Sequence, residues 1–487
     1  MKKIIGLLIC SSCILFDTVL ATSKESTSQS KNVLFIAIDD LNTDIGCMNP
    51  EKKVKTPHID RLAREGLLFK NAHCSSPSCH PSRVAVLTGK SPLNTGITNN
   101  LKDEPSHPSW RLSPILKNTQ TIPEYFRSIG YTVKGSGKIF HGAQYYATEE
   151  NDPDIWDSYY PSKTRQIPDQ PVPPFDYFSV NKSSGRPAGH FDWTPLQVSD
   201  NAMSDYKVVD WALNEFQQNH DKPFFMAVGM FRPHVPFHVP QKYYDMYSKE
   251  SIQLPEKSKN SALAIGDGSI VSKFGYDEFK WAEQTNNVKN ALQGYYASVT
   301  FCDTMIGRLL DGLRDSKYAN NTIIVLWSDN GYHLSEKNRF EKFTLWREST
   351  HVPLIIKVPN LTKNHSICTQ PVNLIDIFPT LVDLTGGMPS NNLDGESLLP
   401  WLNNPDLIKN SPSVIVGPEP GSWAVVSNKY RFIHYFNGME ELYDIIDDPK
   451  EERDLSNNSK YNYIIDYFKS IVKPQIPEFI PEGAKVN

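Results

Sequence analysis

The chain of 487 residues lacks several features that would assign it to a special class of protein. It has no strong excess of charge, with a formal net charge of −5, and no run of like charges. We therefore expect neither a nucleic-acid partner nor a charged interaction tail. Beyond the N-terminal segment there is no apolar stretch of the ~20 residues that span a bilayer, and no internal repeat or low-complexity tract. Any preference for an anion must then come from a local site.

The N-terminal segment has the pattern of a secretory signal peptide. Two lysines precede an apolar run over residues 4–16, and small or aliphatic residues lead up to Ala21. We expect cleavage after about Ala21 and a secreted or periplasmic protein. The alternatives are a short N-terminal anchor, although the run is shorter than a membrane span, and lipidation at Cys10 or Cys13.

An odd number of cysteines remains once this segment is removed. They are Cys47, Cys74, Cys79, Cys302 and Cys368. In an oxidising compartment at least one of them is expected to do something other than pair, although unpaired buried cysteines are common. The sequence leaves the pairing of the others open.

The apolar pattern predicts a large α/β domain. Residues 33–39 form a continuous apolar run, typical of a strand buried on both faces of a parallel sheet. A helix is predicted over 56–66, with a Thr-Pro start and a Gly end. Further helix and strand pairs are predicted at 121–130 and 131–137, 205–216 and 223–230, and 287–313 and 321–330, with a last strand at 352–359 before a helix at 374–386. This alternation predicts a doubly wound, mainly parallel sheet flanked by helices.

After residue 400 the pattern changes to short alternating segments. These predict a small antiparallel sheet and a terminal helix near 460–472. We therefore divide the chain into a signal peptide (1–21), a main α/β domain (22–400) and a smaller C-terminal α+β subdomain (401–487).

Two of the predicted buried strands end in paired oxygen ligands. Asp39 and Asp40 follow one strand, and Asp329 and Asn330 follow another. In doubly wound sheets ligands bind beyond the carboxyl ends of the strands, so the two pairs are expected to converge. Three carboxylates and an amide suit Ca²⁺ or Mg²⁺ much better than zinc. The alternative is that each pair only caps the loop or helix that follows.

The segment CSSPSCHPSR contains two cysteines in different settings. Pro81 suits the first position of a helix that ends at Gly89, which places Cys79 at or just before a helix N-terminus. Unsatisfied N–H groups and a positive dipole at that end can hold an oxyanion. Arg83 adds a fork of donors for a tetrahedral anion, whereas Cys74 has no such setting.

This segment resembles the signature of type I sulfatases of the alkaline phosphatase-like superfamily, C-x-P-S-R with a downstream T-G. In that family a maturation enzyme oxidises the cysteine to formylglycine, whose hydrate is the nucleophile. The resemblance assigns this role to Cys79 and leaves Cys74 as a buried or bonded thiol. Two positions depart from the pattern: His80 stands where a small residue is commoner, and Ser335 where Gly is frequent.

The resemblance extends along essentially the whole chain. IDDLN and SDNG match the two segments that supply metal ligands in the family. GSGKIFHG matches a segment that supplies a Lys and a His, and FRPHVPF matches one that supplies another His. GYHLSEKNRFEKFTLWREST matches a region that supplies a second Lys. The sequences of these segments are most similar to those of the iduronate-2-sulfatase-like branch of the family.

The resemblance also implies a role for each matching residue. The implied ligands of one Ca²⁺, with Mg²⁺ as the alternative, are Asp39, Asp40, Cys79 as formylglycine, Asp329 and Asn330. The implied catalytic residues are Cys79, Arg83, Lys138, His141, His234 and Lys342. The arginine and the two lysines would neutralise charge on the sulfuryl oxygens. His234, or Lys342 beside it, would protonate the departing sugar oxygen, and His141 would take a proton from the hydrate.

The implied function is removal of O-sulfate esters from sulfated carbohydrate, for example a uronate such as iduronate 2-O-sulfate in a glycosaminoglycan or in an algal polysaccharide such as ulvan. Two alternatives stay open. One is a phosphate or phosphonate monoester hydrolase of the same superfamily, although its zinc-rich form would need more histidines at the strand ends. The other is a glycan-binding protein without catalysis.

The stretch 144–195 is rich in Pro, Tyr, Asp and Ser and shows no periodicity. Such a stretch predicts long surface loops, which usually form a binding face. His190, Asp192 and Trp193 are candidates for binding sugar there, with ordinary loop packing as the alternative.

Overall fold

The computed structural model describes residues 30–100, 109–141, 152–171, 191–257 and 275–472. The expected signal peptide and His190 lie outside these ranges. The strands within them, β1 to β17 in chain order, are Asn32–Ile38, Leu67–His73, Thr132–Gly137, Ser158–Tyr160, Trp193–Leu196, Phe224–Met230, Phe237–Pro240, Thr322–Ser328, His333–Leu334, Phe340–Glu341, His351–Lys357, Ser366–Cys368, Val372–Asn373, Ser413–Val416, Trp423–Val426, Tyr430–His434 and Glu440–Asp444. The α-helices, α1 to α12, are Pro57–Glu65, Cys79–Thr88, Pro92–Thr95, Ile122–Ser128, Ser204–Gln217, Gln241–Tyr244, Tyr276–Gln284, Val288–Arg314, Arg347–Thr350, Ile377–Thr385, Leu399–Asn403 and Asn462–Val472.

The central sheet has the strand order β12-β2-β11-β8-β1-β6-β3-β4, with β13 beside β2. Its middle strand β1 runs parallel to both β6 and β8, and all seven residues of β1 are buried. Among the described strands of this sheet only β11 runs antiparallel to its neighbours, β2 and β8. The prediction of a mainly parallel sheet is confirmed.

Helices cover both faces of this sheet, because the side chains of a strand alternate between its two faces. Leu34, Ile36 and Ile38 of β1 point into one apolar cluster, which α1, α5 and the long helix α8 complete. Val33 and Phe35 point into a second cluster, which α2, α4 and α10 complete. The predicted doubly wound arrangement is therefore confirmed.

A separate antiparallel sheet, β14-β15-β16-β17, lies near the C-terminus, as predicted. Ile465 and Phe468 of α12 pack on one face of it. Leu345 and Trp346 from the main part of the chain pack on the other face. The domain boundary at residue 400 stays a prediction.

The sheet brings the predicted functional segments to one edge. Ile38, the last residue of β1, lies beside Ser328 at the end of β8 and beside Met230 at the end of β6. Gly137, the last residue of β3, lies beside Gly229. Both metal pairs, the Gly-Ser-Gly-Lys segment and the FRPHVPF segment therefore leave adjacent strands at the same edge.

The five cysteines of the described residues, Cys47, Cys74, Cys79, Cys302 and Cys368, all carry free thiols. Within the described ranges, no helix has both the length and the apolar character that a membrane span needs.

Candidate active site

Cys79 is the first residue of α2 and is fully buried. The helix begins two residues earlier than the sequence predicted, so Pro81 is its third residue and not its first. Proline is tolerated there because the N–H groups of a first helical turn have no partner within the helix. The side-chain oxygen of Asn100 caps this end, accepting from the N–H of His80 (3.0 Å) and the hydroxyl of Ser78 (2.7 Å).

The two metal pairs meet beside Cys79. The N–H of Asp40 donates to Oδ1 of Asp329 (3.0 Å), and Nδ2 of Asn330 donates to Oδ1 of Asp40 (2.7 Å). The sulfur of Cys79 lies 3.4 Å from Oδ1 of Asp39. All five residues are fully buried, so the structure brings together every residue that the sequence placed in the metal site.

Two buried oxygens of this group have no hydrogen-bond partner among the described residues, Oδ2 of Asp40 and Oδ1 of Asn330. Leaving a buried polar atom unsatisfied costs about 1–3 kcal/mol, so such atoms usually mark an absent ion or water. Ligand atoms of Asp39, Asp40, Cys79 and His234 also lie within 4.8 Å of one another. The oxygen-rich donor set fits a hard divalent cation.

Two lysines neutralise the carboxylates. Lys138 donates to Oδ2 of Asp39 (2.5 Å), while Lys342 donates to Oδ1 of Asp40 and to the sulfur of Cys79 (2.8 Å). Burial alone would raise the pKa of Asp39, but Lys138 and other nearby cations hold it well below its usual range. Burial raises the pKa of Asp40 to about 7 even though Lys342 opposes it.

Arg83 directs its donors at protein atoms. Its Nε donates to Oδ2 of Asp329 (2.7 Å) and its Nη2 to Oδ1 of Asp39 (3.3 Å). Its Nη1 donates to the carbonyls of Lys138 (2.6 Å) and Ile139 (3.0 Å). The side chain is fully buried. These contacts indicate that Arg83 orients the carboxylates of two predicted metal ligands, and its contact with a sulfuryl group stays a prediction.

Both predicted histidines lie near this cluster. Nδ1 of His234 donates to the carbonyl of Val235 (2.5 Å), so the neutral ring presents Nε2, which lies 3.7 Å from Oδ2 of Asp40. Nδ1 of His141 is buried without a hydrogen-bond partner in the described part of the chain. Burial lowers the pKa of both rings well below the usual range, and Lys138 adds to this effect.

A family model described as sulfatase matches residues 31–388 of this chain. The chain belongs to the sulfatase family. A sulfatase of Formosa agariphila is 37% identical over 452 residues, which covers 91% of this chain and 86% of that protein. Human iduronate 2-sulfatase is 30% identical over 426 residues, covering 78% of this chain and 73% of that protein. The resemblance seen in the sequence is confirmed, and the chain is a sulfuric ester hydrolase.

An ulvan-active sulfatase of Formosa agariphila is 28% identical, covering 91% of this chain and 81% of that protein. Among solved structures, a protein in complex with its substrate D-glucosamine-2-N,6-O-disulfate has a TM-score of 0.69 at 19% identity, covering 94% of this chain and 100% of that one. The phosphonate monoester hydrolase of Agrobacterium radiobacter also has a TM-score of 0.69, at 21% identity, covering 91% and 95%. At these identities the structural likeness shows the fold alone.

The segment of this sulfatase that carries Lys138 is fixed by contacts that its sequence did not reveal. Gly137 has a φ of +73°, and a Cβ there would lie 2.0 Å from the carbonyl oxygen of Gly229, so only glycine fits. Oε1 of Gln166 accepts from the N–H groups of Ile139 (3.0 Å) and Phe140 (2.9 Å). Gln166 comes from the stretch predicted to be loops, where nothing in the pattern singles it out.

The segment that carries Lys342 is conformationally strained. Positive φ angles occur there at Ser335, Lys337, Asn338, Glu341 and Phe343. Such angles are unfavourable for residues other than glycine, and they persist only where the surroundings enforce them. One such contact is the N–H of Phe343, which donates to the carbonyl of Pro77 (3.1 Å) beside the N-terminus of α2.

Asp192, one of the predicted sugar-binding residues, is 3% exposed. Its carboxylate lies 3.3 Å from Nε2 of His238. Trp193 packs edge-on against Phe191 and lies near Trp281. These contacts fit the alternative of loop packing, and a role in sugar binding stays a prediction.

Proposed function

We propose that this sulfatase is secreted or periplasmic and hydrolyses an O-sulfate ester of a uronic acid or a similar sugar, within a glycosaminoglycan or an algal polysaccharide such as ulvan. The names of two relatives support this substrate class, iduronate 2-sulfatase and ulvan-active sulfatase. The proposed nucleophile is a formylglycine hydrate, formed from Cys79 by a maturation enzyme.

The placement of Cys79 carries this proposal. Its sulfur is at the N-terminus of α2, 2.8 Å from Nζ of Lys342 and 3.4 Å from a carboxylate oxygen of Asp39. Asp39, Asp40, Asp329 and Asn330 would hold a divalent cation beside it. When bound, that cation, Ca²⁺ or Mg²⁺, would polarise a sulfate oxygen and favour ionisation of a hydroxyl at position 79.

The remaining groups of the site suit the handling of an anion. The ammonium groups of Lys138 and Lys342 would stabilise charge on the sulfuryl oxygens. Because the site is buried, water weakens these interactions little. Nδ1 of His141, which has no partner in the described part of the chain, would accept the proton of the second hydroxyl at position 79.

Lys342 is better placed than His234 to protonate the departing sugar oxygen. The proton of His234 is on Nδ1 and is held by the carbonyl of Val235. Burial lowers the pKa of Lys342, but Asp40 and the sulfur of Cys79 outweigh it and hold the pKa well above its usual range. Lys342 therefore carries its proton at neutral pH, whereas His234 would have to gain one against the effect of burial.

The proposal is tested by the mass of the peptide that contains residue 79, together with sulfate release, after co-expression with a formylglycine-generating enzyme. We expect an aldehyde mass and turnover, with turnover abolished in Cys79→Ala. Cys74→Ala is the matched control, since Cys74 is an equally buried thiol whose contact is a carbonyl (Ser349, 3.7 Å). Full turnover by Cys79→Ala would contradict the proposal.

The same preparation separates the two alternatives. When sulfate and phosphate esters of the same sugar or phenol are compared, the protein should release sulfate faster than phosphate. Faster release of phosphate would instead favour a phosphate or phosphonate monoester hydrolase. Tight binding of a sulfated oligosaccharide without turnover, in protein with the aldehyde in place, would favour a glycan-binding protein.

A further inference from the structure

The backbone at Asp40 adopts a conformation that the residue does not favour. Its φ is +60°, in the left-handed region that non-glycine residues seldom occupy, and the residue is fully buried. This turn aims the carboxylate of Asp40 at Asn330 and Lys342. The conformation therefore needs contacts that hold it in place.

The hydroxyl of one tyrosine, which is distant in sequence, forms hydrogen bonds to both sides of this turn. The hydroxyl of Tyr295 donates to the carbonyl of Asp40 (2.8 Å) and accepts from the N–H of Asn42 (2.9 Å). It thus satisfies both backbone groups that flank Leu41. The hydroxyl bridges these two groups, which would otherwise need other hydrogen-bond partners. Tyr295 is the eighth residue of α8 and is itself fully buried.

We propose that Tyr295 is a positioning residue for the metal site, acting through the backbone of Asp40. Without its hydroxyl, a buried carbonyl and a buried N–H would lose their partner, which is unfavourable for both groups. The turn could then relax to a negative φ, which would move the carboxylate of Asp40 away from the other ligands. This inference rests on the cation of the proposed function.

The ring of Tyr295 is held independently of its hydroxyl. It stacks on Tyr332 (centroids 5.3 Å apart, 18° between the planes) and meets Phe237 edge-on (5.6 Å, 82°). A phenylalanine at position 295 should therefore keep the ring in place and remove only the two hydrogen bonds. Tyr295→Phe is accordingly the variant that isolates the contact with Asp40.

Two other tyrosines provide matched controls. The hydroxyl of Tyr332 is buried beside Tyr295 but has no hydrogen-bond partner in the described part of the chain, so Tyr332→Phe changes the same region without touching the turn. The hydroxyl of Tyr247 accepts from the N–H of Lys55 (2.8 Å) and bonds to that of Thr300 (2.5 Å). Tyr247→Phe therefore removes two hydrogen bonds elsewhere, one buried and one partly buried.

The experiment is a titration of Ca²⁺ into the full-length, chelator-treated protein by calorimetry, with the calcium dependence of the unfolding temperature as a second readout. Removing a group that orients a metal ligand typically weakens metal affinity about 10–100-fold. We expect this loss in Tyr295→Phe, and unchanged affinity in Tyr332→Phe and Tyr247→Phe. The unfolding temperature without calcium should fall in both Tyr295→Phe and Tyr247→Phe.

Each other result would overturn the inference in a distinguishable way. Calcium binding to Tyr295→Phe with the affinity of the wild type would refute it and leave the proposed function standing. An equal loss of affinity in Tyr247→Phe would show that lower stability, and not the turn at Asp40, is responsible. A wild-type protein that binds neither Ca²⁺ nor Mg²⁺ would overturn the proposed metal dependence and this inference with it.

Discussion

Replacement of Arg83 by lysine tests how the metal carboxylates are held. The guanidinium of Arg83 makes four hydrogen bonds, to Asp329, Asp39 and two backbone carbonyls, and is fully buried. A lysine keeps the positive charge but has a single ammonium group, which cannot reach acceptors spread over the span of a guanidinium fork. We expect it to leave about two of the four acceptors unsatisfied.

The size of the effect follows from those contacts. Each unsatisfied buried acceptor costs about 1–3 kcal/mol, so Arg83→Lys should lose about 4 kcal/mol of unfolding free energy. For a chain of 487 residues the entropy of unfolding is about 1 kcal/mol per degree. The unfolding temperature should therefore fall by about 4 °C. The protein should still fold, while its calcium affinity and its sulfate release should fall much further than stability alone explains.

Arg431→Lys is the matched control for this variant. Arg431 is also a buried arginine, which donates to Glu451 (2.6 Å), the carbonyl of Leu345 (3.0 Å) and the hydroxyl of Thr350 (3.0 Å). It binds none of the proposed metal ligands. We expect a similar loss of unfolding temperature in Arg431→Lys with calcium affinity and turnover retained.

The calcium concentration separates the two roles considered for Arg83. If this residue only orients carboxylates, excess Ca²⁺ should restore much of the activity of Arg83→Lys. If it also contacts the sulfuryl group, turnover should stay low at saturating Ca²⁺. Arg83→Lys and Arg431→Lys behaving alike in both calcium affinity and turnover would refute the reasoning, because the contacts to Asp39 and Asp329 would then have no functional consequence.

Two further variants test parts of the structure outside the metal cluster. Gln166→Leu should lower kcat more than Gln166→Glu, because glutamate keeps an acceptor for the N–H groups of Ile139 and Phe140. Steady-state assays measure kcat of both variants, and equal values would contradict this expectation. Burial raises the pKa of Asp303 to about 7, so the wild type should lose stability relative to Asp303→Asn as the pH rises from about 4 to about 7. The full loss should be at most about 4 kcal/mol, of which about 3 kcal/mol falls between pH 5 and pH 8, where urea unfolding of both proteins measures it. A difference in unfolding free energy between the two proteins that is the same at both pH values would show that Asp303 has an ordinary pKa.

The fold was largely predictable because a strand buried in a parallel sheet has a recognisable pattern of apolar residues. A strand covered on both faces needs apolar residues at every position, as in residues 33–38, and the helices between strands show the 3.6-residue period. The direction of a strand leaves no such mark. Residues 352–356 are apolar whichever way the strand runs, so its antiparallel pairing was not predictable.

The candidate site was predictable in its residue types and not in its contacts. The ends of two adjacent strands brought the metal pairs together, which the topology of an α/β sheet implies. Tyr295 is separated from Asp40 by 255 positions, and no local pattern connects them. The strained segment around Lys342 was also not predictable, since left-handed backbone is usually marked by glycine or asparagine and only Asn338 fits that rule.

The charged groups of the candidate site can be buried together because their charges are balanced. Asp39, Asp40 and Asp329 are opposed by Arg83, Lys138 and Lys342, so the formal charges of these six groups cancel. Unpaired, each of them would be very costly to bury. Under the proposed function, a divalent cation adds two positive charges to this balanced group and so creates the attraction for an anionic ester.

The two lysines then have alternative partners. Under the proposed function, a cation that engages the carboxylates would free the ammonium groups of Lys138 and Lys342 from Asp39 and Asp40 to face the sulfuryl oxygens. Arg83 has no such freedom, because two backbone carbonyls hold its guanidinium in addition to the carboxylates. Under that proposal, the three cationic side chains divide into one that would keep the ligands in place and two that would turn to the substrate.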